Sequence, residues 1–366
     1  MILYFIITTS LYFLLYLFLY IWGYRNIKKI KICNHNLPFV SVIVAARNEE
    51  RNIRKCVNSL KNIDYPDDKF EVIIVNDRST DSTKGIIEEE IEGLKNFKII
   101  TIEEYNNPNI NGKAFALSNG IKEAKGEIIM TTDADCAVPT GWIRNAVKYF
   151  DKDTAFVCGF TMLEGKNIFT KLQAMDWLYL ESISSSSAGI NNALSCLGNN
   201  LAMNKDIYDS VGGYEKLKFS VTEDLTLLNT IKKEKKYKIK YPIIPSGYVM
   251  SSACANLKEL YRQKKRWFRG GTGINILGYA VGFFMLNVNV LMLCGYLLLP
   301  LTYYFPLVFL KIFSDFIISF PVAKSLKVLH IYKYFIPFQF YFMIYGLLLP
   351  FTFIWGYKIK WKDRKF

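Results

Sequence analysis

Asp133-Ala134-Asp135 directly follows an apolar stretch. In an extended segment residues two apart project to the same side, so both carboxylates can face one ligand. Hard divalent cations prefer oxygen donors. A Mg²⁺ or Mn²⁺ held there could sit against a diphosphate and offset its charge as it leaves. The same triplet also serves as a solvated turn or a helix cap. A second acidic pair, Glu223-Asp224, opens an apolar-periodic segment at 225–231. One carboxylate beside a reacting carbon suffices to take a proton from an attacking hydroxyl. The other reading is the acidic first turn of a helix, where negative charge favours the dipole. Gln263-Lys264-Lys265-Arg266-Trp267 is the third cluster. A guanidinium grips a diphosphate bidentately, and an indole stacks on a sugar face. A basic, aromatic stretch ahead of an apolar span is equally what the positive-inside bias and interface anchoring produce.

These residues need a scaffold. Apolar, β-branched runs at 39–45, 71–76, 98–102 and 127–132 read as strands, and 49–61, 82–94 and 113–124 carry helical spacing. The rhythm implies a doubly wound parallel α/β sheet, which binds ligands beyond the carboxyl ends of its strands. Asp77 and Asp133 fall at such ends. No G-x-G-x-x-G follows the first strand, where the chain reads Ala45-Ala46-Arg47-Asn48-Glu49, and no G-x-x-x-x-G-K-[ST] occurs. A nucleotide would therefore be held without the glycine-rich phosphate loops of dehydrogenases or P-loop proteins.

Composition excludes other chemistry. The 366 residues include two histidines, His35 and His330, both outside the α/β stretch or at its edge. A Ser-His-Asp triad or a histidine zinc site has no material, and the base must be a carboxylate. Seven cysteines form no C-x-x-C pair and read as free thiols of a reducing compartment. The net charge of +14 does not mark a nucleic-acid binder. Much of it flanks apolar runs, as Arg25, Lys28, Lys29 and Lys31 do, which is the footprint of cytoplasmic flanks and anionic headgroups.

Hydrophobic residues make up 51% of the chain and concentrate at its two ends. Residues 2–22 are uncharged and long enough to span a bilayer. No basic region precedes them and no small-residue cleavage site follows, so they read as an anchor with its N-terminus outside. Residues 270–310 carry no charge. Pro300 and Pro306 mark the expected break between two segments there. The second holds Lys311 and Asp315, which suits a span or an interfacial helix. Residues 334–357 form a last apolar segment. The expected organisation is an anchor at 1–24, a catalytic domain at 36–272, two or three apolar segments at 274–357, with three favoured, and a basic tail at 358–366. The chain is then an integral, multi-pass protein of a bacterial-type cell membrane, its catalytic domain cytoplasmic.

The order of the clusters resembles the family 2 glycosyltransferases, the group of the cellulose, chitin and hyaluronan synthases and ceramide glucosyltransferase. The matching stretches are Val40-Ser41-Val42-Ile43-Val44-Ala45-Ala46-Arg47-Asn48-Glu49-Glu50, Val75-Asn76-Asp77-Arg78-Ser79-Thr80-Asp81 and Gly112-Lys113-Ala114-Phe115-Ala116-Leu117. Asp133-Ala134-Asp135, Val211-Gly212-Gly213-Tyr214, Thr222-Glu223-Asp224 and the Gln-x-x-Arg-Trp box complete the set over about 37–267, and Trp361-Lys362-Asp363-Arg364 resembles the tail of membrane-bound members. The resemblance implies a GT-A fold and an inverting, metal-dependent transfer from a nucleotide-diphospho-sugar, UDP being the usual nucleotide. Carried over by position, Asp77 accepts a hydrogen bond from the nucleotide base, with Ala46 and Glu49 lining that pocket. Lys113 lies near the diphosphate, Asp133 contacts donor ribose or sugar, and Asp135 holds Mg²⁺ or Mn²⁺. Asp224 is the base. Glu223, Gln263, Arg266 and Trp267 belong with diphosphate and acceptor. Many members have glycine where this chain has Arg78, which puts the turn geometry after Asp77 in question. The expected partners are the donor, a lipid or glycan acceptor and membrane lipids, with no nucleic acid. Two rivals stand beside single transfer to a lipid or lipid-linked acceptor: a processive polysaccharide synthase and a non-catalytic membrane scaffold.

Overall fold

The computed structural model describes the chain except residues 34–36, 105–109, 111, 218–219, 354–359, 362–363 and 366. His35 and much of the basic tail therefore lie outside the described residues. The chain divides into two compact units. One comprises Ile30–Met162 and Ser195–Ser252, the other Met1–Lys29, Leu163–Leu194 and Ala253–Phe366. The span 36–272 read from the sequence as one domain is thus divided, with 163–194 and 253–272 grouping with the helical unit.

Among the described residues the strands of the α/β unit are β1 (Val40–Ala46), β2 (Phe70–Asp77), β3 (Phe97–Ile102), β4 (Ile128–Asp133), β5 (Thr154–Cys158), β6 (Thr161–Glu164), whose last two residues group with the helical unit, β7 (Leu201–Asn204), β8 (Lys238–Lys240) and β9 (Val249–Ser252). Seven of them form one sheet in the order β3-β2-β1-β4-β7-β5-β8. β1 runs parallel to β2 and β4, and β2 parallel to β3. β7 runs antiparallel to both β4 and β5, so the sheet is mixed where the sequence rhythm led us to expect a parallel one. A buried apolar run reports burial on both faces, not strand direction. Val42, Val44, Val72, Ile74 and Met130 pack with Ile53, Val57 and Leu60 of the Ile53–Lys61 helix into the core. That helix begins after the expected 49, because 47–52 form the turns that cross the sheet edge.

Among the described residues of the helical unit, four helices are long and apolar enough to cross a membrane: Ile2–Lys28, Ile276–Leu298, Leu301–Leu326 and Leu329–Thr352. Pro300 caps the third of these, as its place at the break predicts. Pro306 breaks nothing, contrary to expectation; it lies inside the Leu301–Leu326 helix, where it removes a single ladder donor. Lys311 and Asp315 lie one turn apart in that helix, Nζ 2.9 Å from Oδ2, and both are buried. Each offsets the other's charge, which is how a helix with two ions stays compatible with an apolar surrounding. The Ile168–Gly189 helix, capped by Asn167, is buried along most of its length. It meets the first helix backbone to backbone. A Cβ on Gly23 would lie 2.1 Å from the Ser186 carbonyl oxygen, and one on Gly189 would lie 2.1 Å from that of Gly23. Only glycine permits this approach.

Candidate active site

Register brings three functional positions to one edge of the sheet. Ala45 is paired with Asp133 and Ala46 with Asn76, so the ends of β1, β2 and β4 meet. Ala46 and Asp77 are buried there. The turns that follow are laced together. The Asn48 amide donates to Ser79 Oγ at 3.2 Å, and the Thr80 amide donates to Asn48 Oδ1 at 2.9 Å. The Glu49 amide donates to Thr83 Oγ1 at 2.7 Å, while the buried Glu49 carboxylate accepts from Asn52 Nδ2 at 2.8 Å. Arg78 adopts φ +53°, the left-handed region that a glycine takes freely. The turn therefore has a glycine-like geometry despite the arginine. Arg47 Nη1 donates to the carbonyls of Asp77, at 2.9 Å, and Arg78, at 3.2 Å, and so holds it.

Lys113, in the Gly112–Lys122 helix, joins the two acidic clusters. Its Nζ lies 2.5 Å from Asp133 Oδ1 and 3.5 Å from Glu223 Oε1. Burial works against the ammonium charge, but the carboxylates of Asp133, Glu223 and Asp224 outweigh it and raise the lysine above its ordinary value. Asp224 stands in the first turn of the Glu223–Lys233 helix, where its negative charge favours the dipole. Its Oδ2 accepts from the Gly198 amide at 2.9 Å.

Gly198 and its neighbours carried no chemical signal in the sequence beyond a Gly-Asn-Asn turn ahead of β7. Thr131 Oγ1 donates to the Gly198 carbonyl at 2.7 Å, and Trp142 Nε1 donates to Asn200 Oδ1 at 2.9 Å. Asn200 Nδ2 donates to the Phe160 carbonyl at 2.7 Å. A buried polar lattice thus fixes the amide that orients Asp224.

At the end of β4, Asp133 and Asp135 are half-exposed while Ala134 and Cys136 are buried. The two carboxylates therefore share the solvent side. Burial pushes the neighbouring Cys56 and Cys136 thiols up, helped by Asp135 and Asp133, so neither offers a thiolate. The donor set is oxygen alone, which fits a hard divalent cation. Among the described residues no three His, Cys, Asp or Glu side chains converge into a complete cage. Oxygens of a bound phosphate and water would have to complete the shell, as Mg²⁺ commonly allows.

Asp77, Lys113, Asp133, Asp135, Glu223 and Asp224 belong to the α/β unit. Gln263, Arg266 and Trp267 lie on the Leu257–Gly270 helix of the helical unit.

The strand order, the acidic end of β4 and the carboxylate opening a later helix define an α/β transferase unit of GT-A type. The chain belongs to glycosyl transferase family 2: the model of that family matches residues 41–213, and that of glycosyl transferase family group 2 matches 128–356. It is 29% identical over 242 residues to a β-monoglucosyldiacylglycerol synthase of Nostoc sp., covering 64% of this chain and 49% of that protein. It is 25% identical over 253 residues to a poly-β-1,6-N-acetyl-D-glucosamine synthase of Staphylococcus epidermidis, covering 68% of this chain and 58% of the relative. The chain spans about half the length of these relatives. Among solved structures, a mannosyltransferase from Pyrobaculum calidifontis in complex with GDP-Man and Mn²⁺ superimposes with a TM-score of 0.60 at 18% identity. That match covers 93% of this chain and 98% of the other, and it establishes the shared fold.

Proposed function

We propose that the protein transfers one sugar from a nucleotide-diphospho-sugar, with UDP as the nucleotide, to a lipid or lipid-linked acceptor at the cytoplasmic membrane face, with inversion at the anomeric carbon. The observation that carries this reading is Lys113 reaching both Asp133 and Glu223, which brings a cation suited to a diphosphate beside both acidic clusters, the second of which holds the proposed base Asp224. Asp77 accepts a hydrogen bond from the donor base, in a pocket lined by Ala46 and Glu49. Asp133 contacts donor ribose or sugar. The acceptor hydroxyl attacks the anomeric carbon from the face opposite the diphosphate, and Asp224 takes its proton as the carbon–oxygen bond forms. The bond to the diphosphate breaks, and Lys113 meets the charge that develops on it. Asp135, beside Asp133, would hold Mg²⁺ or Mn²⁺, which when bound compensates diphosphate charge. By the family resemblance Gln263, Arg266 and Trp267, and Glu223 as well, act on diphosphate and acceptor.

The glycolipid synthase among the relatives supports a lipid acceptor, and the mannosyltransferase complex supports a nucleotide-sugar donor with a divalent ion. The poly-N-acetylglucosamine synthase favours a second reading, processive polymerisation. Purified full-length enzyme in lipid, given a panel of labelled nucleotide-sugars with Mg²⁺, tests both. We expect one donor to yield a product one sugar larger than a diacylglycerol or polyprenyl-phosphate acceptor, and no product in excess EDTA. A ladder of long products selects the polymerase. No turnover of any donor selects a scaffold.

A further inference from the structure

The Leu257–Gly270 helix, which carries the Gln-x-x-Arg-Trp box, buries only Leu260 and Lys264. A lysine is a costly anchor, because a buried ammonium needs a partner. That partner is Asp176, fully buried on the Ile168–Gly189 helix, which pairs with Lys264 Nζ and also accepts from the Tyr345 hydroxyl. The same ammonium lies 4.6 Å from the centroid of the Trp267 ring and 4.8 Å from that of Tyr345. Trp177, next to Asp176 in the chain, meets Trp267 at 5.1 Å between centroids, tilted by 58°. Asp176 thus fixes an ammonium, the ammonium covers the Trp267 indole, and the neighbouring indole sets its tilt.

Bundle stability alone does not call for these charges. Replacing a buried ion pair with apolar groups of similar volume is commonly neutral or stabilising. What an ion pair adds is direction: a cation over an indole selects one ring orientation, which an aliphatic contact does not.

We infer that Asp176 is a positioning residue for sugar transfer, acting through Lys264 to set the rotation of the box helix and the orientation of Trp267. This rests on the reading above that Gln263, Arg266 and Trp267 act on diphosphate and acceptor. It adds three residues, Asp176, Lys264 and Tyr345, whose part is to place the box.

The test uses full-length enzyme in lipid nanodiscs, with thermal unfolding, donor affinity, kcat and acceptor KM measured for Asp176→Asn, Lys264→Met and the double variant. Asp176→Asn leaves an unpaired buried ammonium, and we expect it to melt lower. The double variant removes both charges, so its melting temperature should return to the wild-type value. Its kcat should stay down by about a hundredfold, the cost of a misplaced catalytic element, with donor affinity kept. Recovery of kcat together with stability in the double variant overturns the inference. So does failure of the double variant to fold, which would assign the pair to the fold alone. Trp267→Ala separates the two readings: wild-type transfer by that variant removes the box from the reaction, whereas its inactivity beside an active double variant removes only Asp176.

Discussion

Asp224 holds two backbone amides, Gly198 N–H on Oδ2 at 2.9 Å and its neighbour Leu225 N–H on Oδ1 at 2.8 Å. An asparagine keeps an acceptor for the Gly198 amide but cannot take a proton. Asp224→Asn should therefore leave the loop and donor affinity in place while lowering kcat by at least about a hundredfold, the usual share of general-base catalysis. Isothermal titration with nucleotide-sugar against single-turnover rates separates the two effects; a loss confined to binding would move the base elsewhere. Lys113 yields a second expectation. Its folded value is raised, so its charge contributes fully at any pH below the ordinary lysine value of 10.5 and is lost only above the raised value. It does not titrate between about pH 6 and 9. An alkaline limb of kcat/KM in that window must belong to another group, and should stand unmoved in Lys113→Arg. A limb that shifts with this substitution contradicts the assignment.

The turn after β2 shows what an element requires of its residues. Arg78 sits at φ +53°, where a non-glycine residue costs about 1–2 kcal/mol. Glycine there relieves that cost but has more freedom to lose from the unfolded chain, so Arg78→Gly should change stability by less than about 1 kcal/mol. Arg78→Val puts a β-branched side chain into the left-handed region and should lower the melting temperature and raise donor KM, because Asp77 immediately precedes the turn. Equal behaviour of the two variants would mean that the conformation is not needed. The strands β1 to β4, but none after them, and the acidic residues at the ends of β2 and β4 were legible in the sequence because periodicity and β-branching are local signals. The reversal of β7 was not, and the meeting of Lys113 with Glu223 depends on pairing between segments far apart in the chain. The sequence places Lys264 in a basic, aromatic stretch ahead of an apolar span and says nothing of its burial. Its burial is visible only once Asp176, 88 residues earlier, is brought beside it.

A path of the chain through the bilayer can be proposed from the helical unit. Arg25 and Lys28 in the last turn of the first helix, and Lys29 and Lys31 just beyond it, favour a cytoplasmic α/β unit. If all four apolar helices crossed fully, the tail beyond 353 would emerge on the outer face with its lysines against the positive-inside trend. Two observations favour the inner face. The Leu329–Thr352 segment is long enough to cross, but only its middle, Phe335–Leu348, is regular α-helix, and both its ends are 3-10 turns, unlike the Ile276–Leu298 and Leu301–Leu326 helices before it. At its far end Arg269 Nη2 donates to the Thr352 carbonyl at 2.6 Å, which ties that end to the close of the box helix, just ahead of the Ile276–Leu298 helix. We propose on these grounds two crossings after the α/β unit in place of the three favoured from the sequence, with the Ile276–Leu298 and Leu301–Leu326 helices as one out-and-back pair, Lys324, Lys327 and Lys333 on the cytoplasmic side, and a last segment that turns back without crossing. We predict that a cysteine introduced near Lys365, in a chain stripped of its other cysteines, is protected from an impermeant maleimide in intact cells and labelled after permeabilisation. The exposed native Cys33 reports on the α/β unit in the same way. Labelling of the tail alone in intact cells requires a third full crossing after the α/β unit, and labelling of Cys33 in intact cells reverses the orientation of the whole protein.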